Sequence, residues 1–531
     1  MEKTDPIPAT FPGDGTPGTS VSVTNGLTRK GLTRLYRAQD VRELDRQAIE
    51  VQGIAGIHLM KRAGRAAFNA LLARWPEPDA ISVYCGRGNN AGDGYIIAAL
   101  AAQRKIDVRV LQVGVTDKLS GDALTAYQFA CREGVEMSPL SESPVHRHRG
   151  VVVDALLGTG MHGDVRAPYI HAIEQINGSG CPVLAVDIPS GLCSDTGRVL
   201  GTAVKADLTV TFIGAKRGLF TGRGPNFAGE VTFDDLGVPP AIYNQVNAPV
   251  TMLDLQRLLG AVPPRPADAH KGMFGQVLIV GGDAGFGGAA LMAAEAAARV
   301  GAGLVSVATR PEHVAAMLTR RPEIMAKGVT SGLELEALLK SAAIVVVGPG
   351  LGRSSWSEQM LRGVLNCGLP LVVDADALNL LCVERIAPHP HRDDWILTPH
   401  PGEAARLLGR TETKGTDVQA DRFGAVEQLQ QFYGGTVILK GAGSLIKGPE
   451  ANIGLAAVGN PGMASGGMGD VLSGVLGGLW AQGLSRDLSA ALGVCLHGVA
   501  GDKAARGGGQ VGLLATDLIP YIRELLNSAP N

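Results

Sequence analysis

The 531-residue chain is poor in aromatics at 4%, has no cysteines at C-x-x-C spacing, and carries no excess of basic residues. Nowhere does it approach the roughly 18 consecutive apolar residues that a bilayer-spanning helix needs. Each absence removes a class of protein. Cys85, Cys131, Cys181, Cys193, Cys367, Cys382 and Cys495 are odd in number and unpaired in spacing. A disulfide framework or zinc site does not follow from such a set, and a reducing compartment fits it. Lys+Arg 48 against Asp+Glu 50 leaves a net charge of −2, so the basic stripe of a nucleic-acid binder is missing. No G-x-x-x-x-G-K-[ST] occurs, which excludes a P-loop NTPase. The first 31 residues mix Pro, Gly, Thr and Ser without an apolar stretch. They read as a disordered extension, not a signal peptide. A cytoplasmic protein with no membrane or nucleic-acid partner is the expectation.

What is abundant is glycine, 73 residues, in a chain that is 45% apolar. Short apolar β-rich runs repeatedly end at Gly or Asp and give way to helical patterns. In the first half these runs are Ala80–Cys85, Val108–Val113, Val151–Asp154, Val183–Asp187 and Leu208–Phe212. In the second they are Gln276–Val280, Leu304–Ala308, Ile344–Val347, Leu371–Asp374, Trp395–Thr398 and Thr436–Lys440. Such alternation predicts α/β architecture, mainly parallel sheets covered on both faces. Prolines cluster between Asp235 and Ala267, so two three-layer α/β/α domains are expected, 32–245 and 267–528, with a linker at 246–266.

The first domain carries Gly86-Arg87-Gly88-Asn89-Asn90-Ala91-Gly92-Asp93-Gly94 directly after a strand, ahead of a helix expected from Tyr95 to about Arg104. Glycines there admit a ligand close to the backbone, and a helix start favours anions. Gly86, Gly88 and Ala91 satisfy the Rossmann-like G-x-G-x-x-G/A formally, but the acid expected about 20 residues on is missing, since Val110–Val113 ends in Gly114. Two further strands end in carboxylates, Asp154 before Ala155-Leu156-Leu157-Gly158-Thr159-Gly160, and Asp187 before Ile188-Pro189-Ser190-Gly191. Ligands of open α/β sheets bind beyond the carboxyl ends of strands, so these acids should converge on the Asn89–Asp93 segment. The plainer reading, that each Asp caps the element after it, stays open.

In that order, G-x-G-N-N-x-G-D-G, D-A-x-x-G-x-G and D-I-P-S-G resemble the NAD(P)H-hydrate epimerase family over roughly Leu32 to Tyr243. The resemblance implies that Asn89, Asn90, Ala91, Gly92 and Asp93, the run Gly158, Thr159, Gly160, Met161, His162, Gly163 and Asp164, and also Tyr169 and Asp187 bind the hydrated nicotinamide nucleotide. It further implies that Asn90, Asp154 and Ser190 hold a potassium ion, a hard cation served by oxygen ligands. Ala91 stands where the family commonly has Gly, and Lys61 interrupts its L-M-E-x-A-G pattern. Asp187 is the candidate to exchange protons with, or stabilise, the opening ring.

The second domain has Gly287-Gly288-Ala289-Ala290 ahead of an alanine-rich helix, small residues suited either to a flat ligand or to close packing. Its densest motif is Gly459-Asn460-Pro461-Gly462-Met463-Ala464-Ser465-Gly466-Gly467-Met468-Gly469-Asp470, before a helix expected from Val471 to about Leu479. Unpaired amides and the positive helix end stabilise charge on a migrating phosphoryl group, and Asp470 is placed to take a proton from the attacking hydroxyl. An acid favoured only by the helix dipole is the plainer alternative. Gly348-Pro349-Gly350-Leu351-Gly352, Asp374-Ala375-Asp376-Ala377-Leu378-Asn379, Thr398-Pro399-His400-Pro401-Gly402-Glu403 and Lys440-Gly441-Ala442-Gly443-Ser444 close other strands.

This set resembles the ribokinase-like superfamily and, within it, the ADP-dependent NAD(P)H-hydrate dehydratases, over about Val250 to Leu526. The resemblance implies a ribokinase-like domain in which Ala289, Gly352, His400 and Asp470 contact the hydrate. Lys440, Gly441, Ala442, Gly443, Ser444 and Gly469 would contact the adenine nucleotide, ADP or ATP, with AMP as the product from ADP. Magnesium would bridge the phosphates, and a homo-oligomer is expected. A ribokinase-type vitamin kinase with an N-terminal binding module is the alternative.

Overall fold

A computed structural model describes residues 21–23, 33–114, 119–140, 149–161, 163–388, 390–409 and 417–528. Two compact units divide between Met252 and Leu253. The strands of the first are β1 (Val21–Val23), β2 (Arg34–Tyr36), β3 (Ala80–Cys85), β4 (Asp107–Gln112), β5 (Glu136–Pro139), β6 (Val151–Ala155), β7 (Val183–Val186), β8 (Leu208–Phe212), β9 (Ala215–Lys216), β10 (Glu230–Asp234) and β11 (Val250–Met252). Its main sheet runs β1-β10-β8-β7-β6-β3-β4-β5. Every pair is parallel except β1 on β10. The chain travels outward from β3 to β5 and then returns to β6 on the other flank of β3. The sheet therefore switches direction between β3 and β6, the point beyond which open α/β sheets bind their ligands.

The second unit contributes β12 (Gln276–Val280), β13 (Leu304–Thr309), β14 (Met325–Gly328), β15 (Ile344–Val347), β16 (Leu371–Val373), β17 (Trp395–Leu397), β18 (Thr436–Leu439), β19 (Ser444–Lys447) and β20 (Ile453–Ala456). They pair in the order β14-β13-β12-β15-β16-β17-β18-β19-β20, parallel up to β18 and antiparallel beyond it. The switch of direction lies at β12 and β15, where the Gly282 amide donates to the Pro349 carbonyl at 3.0 Å. The strands are buried throughout their middles because both faces carry helices, which is why they read as continuous apolar runs.

Two boundaries differ from expectation. Val21–Val23, inside the stretch expected to be disordered, forms an edge strand against Val231–Phe233; the rest of residues 1–31 lies outside the described residues. The 246–266 segment also holds structure. It contains β11 and the helix Leu255–Leu259, whose first turn is capped by Asp254 accepting from the Arg257 amide at 2.9 Å. Leu253, Leu255, Leu258 and Leu259 bury in the second core, so apolar spacing overrode the neighbouring prolines.

Both glycine motifs turn helical earlier than their composition suggests. The first helix spans Asn89–Gln103 and the second Met468–Ala481. A β-carbon on Gly94 would sit 2.6 Å from the Ala155 side chain, and one on Gly474 would sit 2.0 Å from the Ala293 carbonyl oxygen. These glycines let helix meet strand and helix meet helix. Ala293 and Ala297 of helix Gly287–Arg299 are the surfaces that Gly474 and Gly478 cross, so its small residues serve close packing along its length. Gly474→Ala is therefore expected to destabilise the second unit by about 1–3 kcal/mol, measured by chemical denaturation. Among the described residues no helix is long and apolar enough to cross a membrane.

Candidate active sites

In the first unit a cavity of about 540 Å³ opens at the sheet's switch of direction. Asn89, Asn90, Asp93, Gly158, Thr159, Gly160, Met161, Tyr169 and Asp187 line it. Ala91 and Gly92 lie within the first helical turns and are buried, Gly92 against Met60, away from the lining. Gly163 and Asp164 are also outside the lining, with Asp164 beside Gly201, and His162 lies outside the described residues.

Behind the lining residues Asn90 and Leu157 lies a buried network of oxygens centred on Asp154 and Ser190, which themselves are not part of the lining. Asp154, fully buried, accepts from the Ser190 hydroxyl at 2.6 Å, the Ser190 amide at 2.8 Å and the Leu156 amide at 3.2 Å. Burial pushes its carboxyl up to about 6 despite those donors. The Leu157 carbonyl accepts from both Asn90 Nδ2 and Ser190 Oγ at 3.2 Å, which gathers Asn90, Asp154 and Ser190 as the sequence expects. Asn90 Oδ1 is buried and accepts no hydrogen bond. Asp154 thus caps the turn after it and also ties the end of β6 to the loop after β7, so capping is only part of its role.

Asp187 sits in left-handed backbone, φ 66°, rare for a residue with a β-carbon and a local strain. Its Oδ1 pairs with Lys216 Nζ, and it also accepts from the Phe212 amide at 3.3 Å. Lys216 is 1% exposed and has the Phe212 carbonyl as a second partner at 3.1 Å. Asp45, from helix Ala38–Arg46, joins them in the lining. Burial drives Asp93 well above the usual carboxylate range, reinforced by the Asp187 and Asp45 charges and opposed by Lys216. Sequence reasoning missed Lys216 and Asp45. A lysine following Ile213-Gly214-Ala215 was a usable signal, because a charge in an apolar run needs a partner.

In the second unit the ends of β16, β17 and β18 meet the start of helix Met468–Ala481. Lys440 Nζ donates to Asp374 Oδ1 at 2.7 Å, and Ser473 Oγ donates to Asp374 Oδ2 at 2.7 Å. Gly469 packs on that pair, since a β-carbon there would lie 3.2 Å from Asp374 Oδ2 and 3.3 Å from Lys440 Nζ. Gly467 caps the helix at φ 89°, a conformation costly for other residues, and no side chain caps the first amides. Asp470 is the third helical residue, half-buried, and its carboxylate makes no hydrogen bond with the described residues. Burial raises its carboxyl to about 7, with Asp374 and Asp376 adding to the rise and Lys440 opposing it.

The remaining groups singled out in the sequence lie at neighbouring strand ends and helix starts. His400 caps helix Pro401–Leu408 through Nδ1, which accepts from the Gly402 amide at 3.0 Å, while Glu403 bonds back to the His400 amide at 2.8 Å. Burial pushes Glu403 up to about 7, and Lys440 pulls against it. Ala289 lies against Gly350, and the Gly352 amide donates to Asp376 at 3.0 Å. Beneath the Lys440–Ser444 turn the buried Arg422 donates to the carbonyls of Leu439, Lys440 and Gly443 at 3.3–3.4 Å. Arg422 was not foreseen, because a lone arginine in a helical pattern reads as solvent-facing.

Each mainly parallel sheet thus carries, beyond the carboxyl ends of its strands, a site built from helix-start residues and carboxylates. Together they define a two-site α/β enzyme with domains of nucleotide-handling type. A family model described as NAD(P)H-hydrate dehydratase matches residues 277–524, and one described as YjeF-related protein N-terminus matches residues 56–218. A bifunctional NAD(P)H-hydrate repair enzyme of Coxiella burnetii is 50% identical over 497 residues, covering 93% of this chain and 100% of its own length. Another, from Escherichia coli, is 40% identical over 493 residues, covering 93% and 94%. A solved ribokinase-like superfamily protein from Enterococcus faecalis shares 28% identity over 53% of this chain and 97% of its own, with a TM-score of 0.49. The chain belongs to the family of bifunctional NAD(P)H-hydrate repair enzymes, with an epimerase domain followed by a dehydratase domain. That membership replaces the vitamin-kinase alternative.

Proposed function

We propose that the unit ending at Met252 interconverts the R and S forms of NAD(P)H hydrate at the Asp187–Lys216 pair, and that the unit from Leu253 dehydrates the S form at Asp470 with ADP. The observation that carries this reading is the presence of two acid-and-amide assemblies, each beyond the strand ends of the sheet in its own unit. A dehydratase selective for one epimer recovers only part of a damaged pool, and an epimerase in the same chain makes the rest available.

In the dehydratase, Asp470 takes the proton of the ring hydroxyl as its oxygen attacks the terminal phosphorus of ADP, and AMP departs. The amides of Gly466–Gly469 receive the charge that gathers on the moving phosphoryl oxygens. Lys440, anchored on Asp374, supports the phosphates, and Arg422 keeps the Lys440–Ser444 turn in shape. Hydroxide leaves poorly and phosphate leaves well, so the ring nitrogen's lone pair then expels phosphate, and loss of the neighbouring proton restores NAD(P)H. Among the described residues no three His, Cys, Asp or Glu side chains gather as a metal cage. Magnesium would be held by the nucleotide phosphates with Asp470 and Asp376 at hand, and bound there it would neutralise phosphate charge.

In the epimerase, Asn90, Asp154 and Ser190 would hold potassium. The buried Asn90 Oδ1 without a hydrogen bond and the all-oxygen donor set fit a hard cation. Its charge would steady the loop from Leu157 to Met161 against Asp154. The units that divide between Met252 and Leu253 are proposed as the two functional domains, in a cytoplasmic homo-oligomer.

Supplying purified R and S hydrates separately with ADP and magnesium tests the reading. Both are expected to return the near-ultraviolet absorbance of the reduced cofactor, and the R form only after a lag. A pH series gives a second test. Asp470 works as a base and must be ionised, so kcat/KM for S-hydrate dehydration should rise with pH through about 7 and fall tenfold per unit below it.

A further inference from the structure

Asp45 lines the first unit's cavity, yet neither family motif nor strand-end position singles it out. Val41, Leu44 and Ala48 bury in the core and fix its helix, and Val41, Arg42, Asp45 and Ile49 face the cavity. Directly after Asp45 the helix passes into a π-helical turn, Gln47–Val51, a rare feature concentrated at functional sites. Among the described residues the Asp45 carboxylate makes neither a hydrogen bond nor an ion pair. The groups sharing the cavity with it are Asp187 and Lys216 from the strand ends, Asp93 and Asp122 from helices Asn89–Gln103 and Gly121–Arg132, Arg87, and Arg42 from its own helix.

Inverting the carbon by loss and return of its hydroxyl needs a group to protonate the oxygen that leaves and a group to deprotonate the water that returns. Asp187 is engaged by a buried lysine, and one carboxylate held that way is poorly placed for both tasks. We propose that Asp45 is a second catalytic carboxyl of the epimerase, giving a proton to the departing hydroxyl while Asp187 takes one from the water that adds to the other face. The inference rests on the epimerase reading. The C–O bond breaks with its electron pair going to oxygen, the Asp45 proton completes a water molecule, and the ring nitrogen's lone pair closes a C=N bond. Water then forms the new C–O bond, the π pair returns to nitrogen, and Asp187 receives the proton. Inversion in the other direction exchanges the two roles, and solvent restores the starting protonation. Burial raises Asp45 to about 6, with Lys216 opposing and Asp187 adding to the rise, which leaves both protonation states accessible near neutrality.

The test uses the full chain without ADP, following R-to-S conversion from about pH 5 to about pH 9 in wild type, D45N and D187N. D45N is expected to lower kcat about 100-fold or more with KM within about threefold, and to remove the limb near pH 6. A D45N enzyme with wild-type kcat and pH profile, or one changed only in KM, overturns the proposal. A second measurement on wild type needs no variant: in heavy-oxygen water each inversion should place solvent oxygen in the product hydroxyl. Inversion without that label overturns the proposal even if D45N fails to fold. A wild-type chain that converts neither epimer would instead refute the epimerase reading itself.

Discussion

Asp470→Asn is expected to lower dehydration of the S hydrate by about 10²- to 10⁴-fold and to leave epimerisation within about twofold of wild type. Asparagine keeps the shape of the side chain at the third position of helix Met468–Ala481 but cannot accept the hydroxyl proton. Because burial and Asp374 raise this carboxyl to about 7, its charge is unfavourable in the folded protein. The sign for stability follows: a raised folded-state value means ionisation at neutral pH costs stability, so the neutral amide should melt at the same temperature or higher. Separate assays for dehydration and epimerisation, with a thermal melt, check all three parts. Equal loss of both activities would contradict two independent sites.

The second large effect falls on Asp187. Asp187→Asn should reduce R-to-S conversion by about 10²- to 10⁴-fold. It should also destabilise the first unit by about 3–5 kcal/mol, since it strands the charge of Lys216, which is 1% exposed. Lost activity could then come from lost structure. D187N/K216M separates the two, because removing both charges should restore most of the stability and none of the turnover. Chemical denaturation and epimerase rates on the wild type and both variants decide the matter. Full activity in the double variant would move the chemistry away from this pair.

The strands were legible because burial on both faces demands continuous apolar runs; Ala80–Cys85, Leu208–Phe212, Gln276–Val280 and Ile344–Val347 have the same ends in the sequence reading and in the structure. Helix starts were not. Gly92 and Gly94, and Gly469 in the second motif, are poor helix formers, so propensity delays the helix to Tyr95 and Val471. Packing decided otherwise, since Gly94 must fit over Ala155 and Gly469 beside Asp374 and Lys440. The acids at strand ends announced themselves, because a carboxylate that closes an apolar strand sits where ligands bind. Asp45 did not: on an amphipathic helix an acid reads as solvent-facing, and only the fold turns that face to a cavity. Arg422 was hidden for the same reason, its buried site visible only once β18 and the turn after it were in place.

A crystal of the D470N chain with ADP, magnesium and the S hydrate bears most directly on the phosphoryl-transfer chemistry. The terminal phosphate should lie over the amides of Gly466–Gly469, with the ring hydroxyl between that phosphorus and residue 470. A phosphate seated elsewhere, or a hydroxyl beyond the reach of residue 470, would contradict the role given to Asp470 and to the helix that carries it.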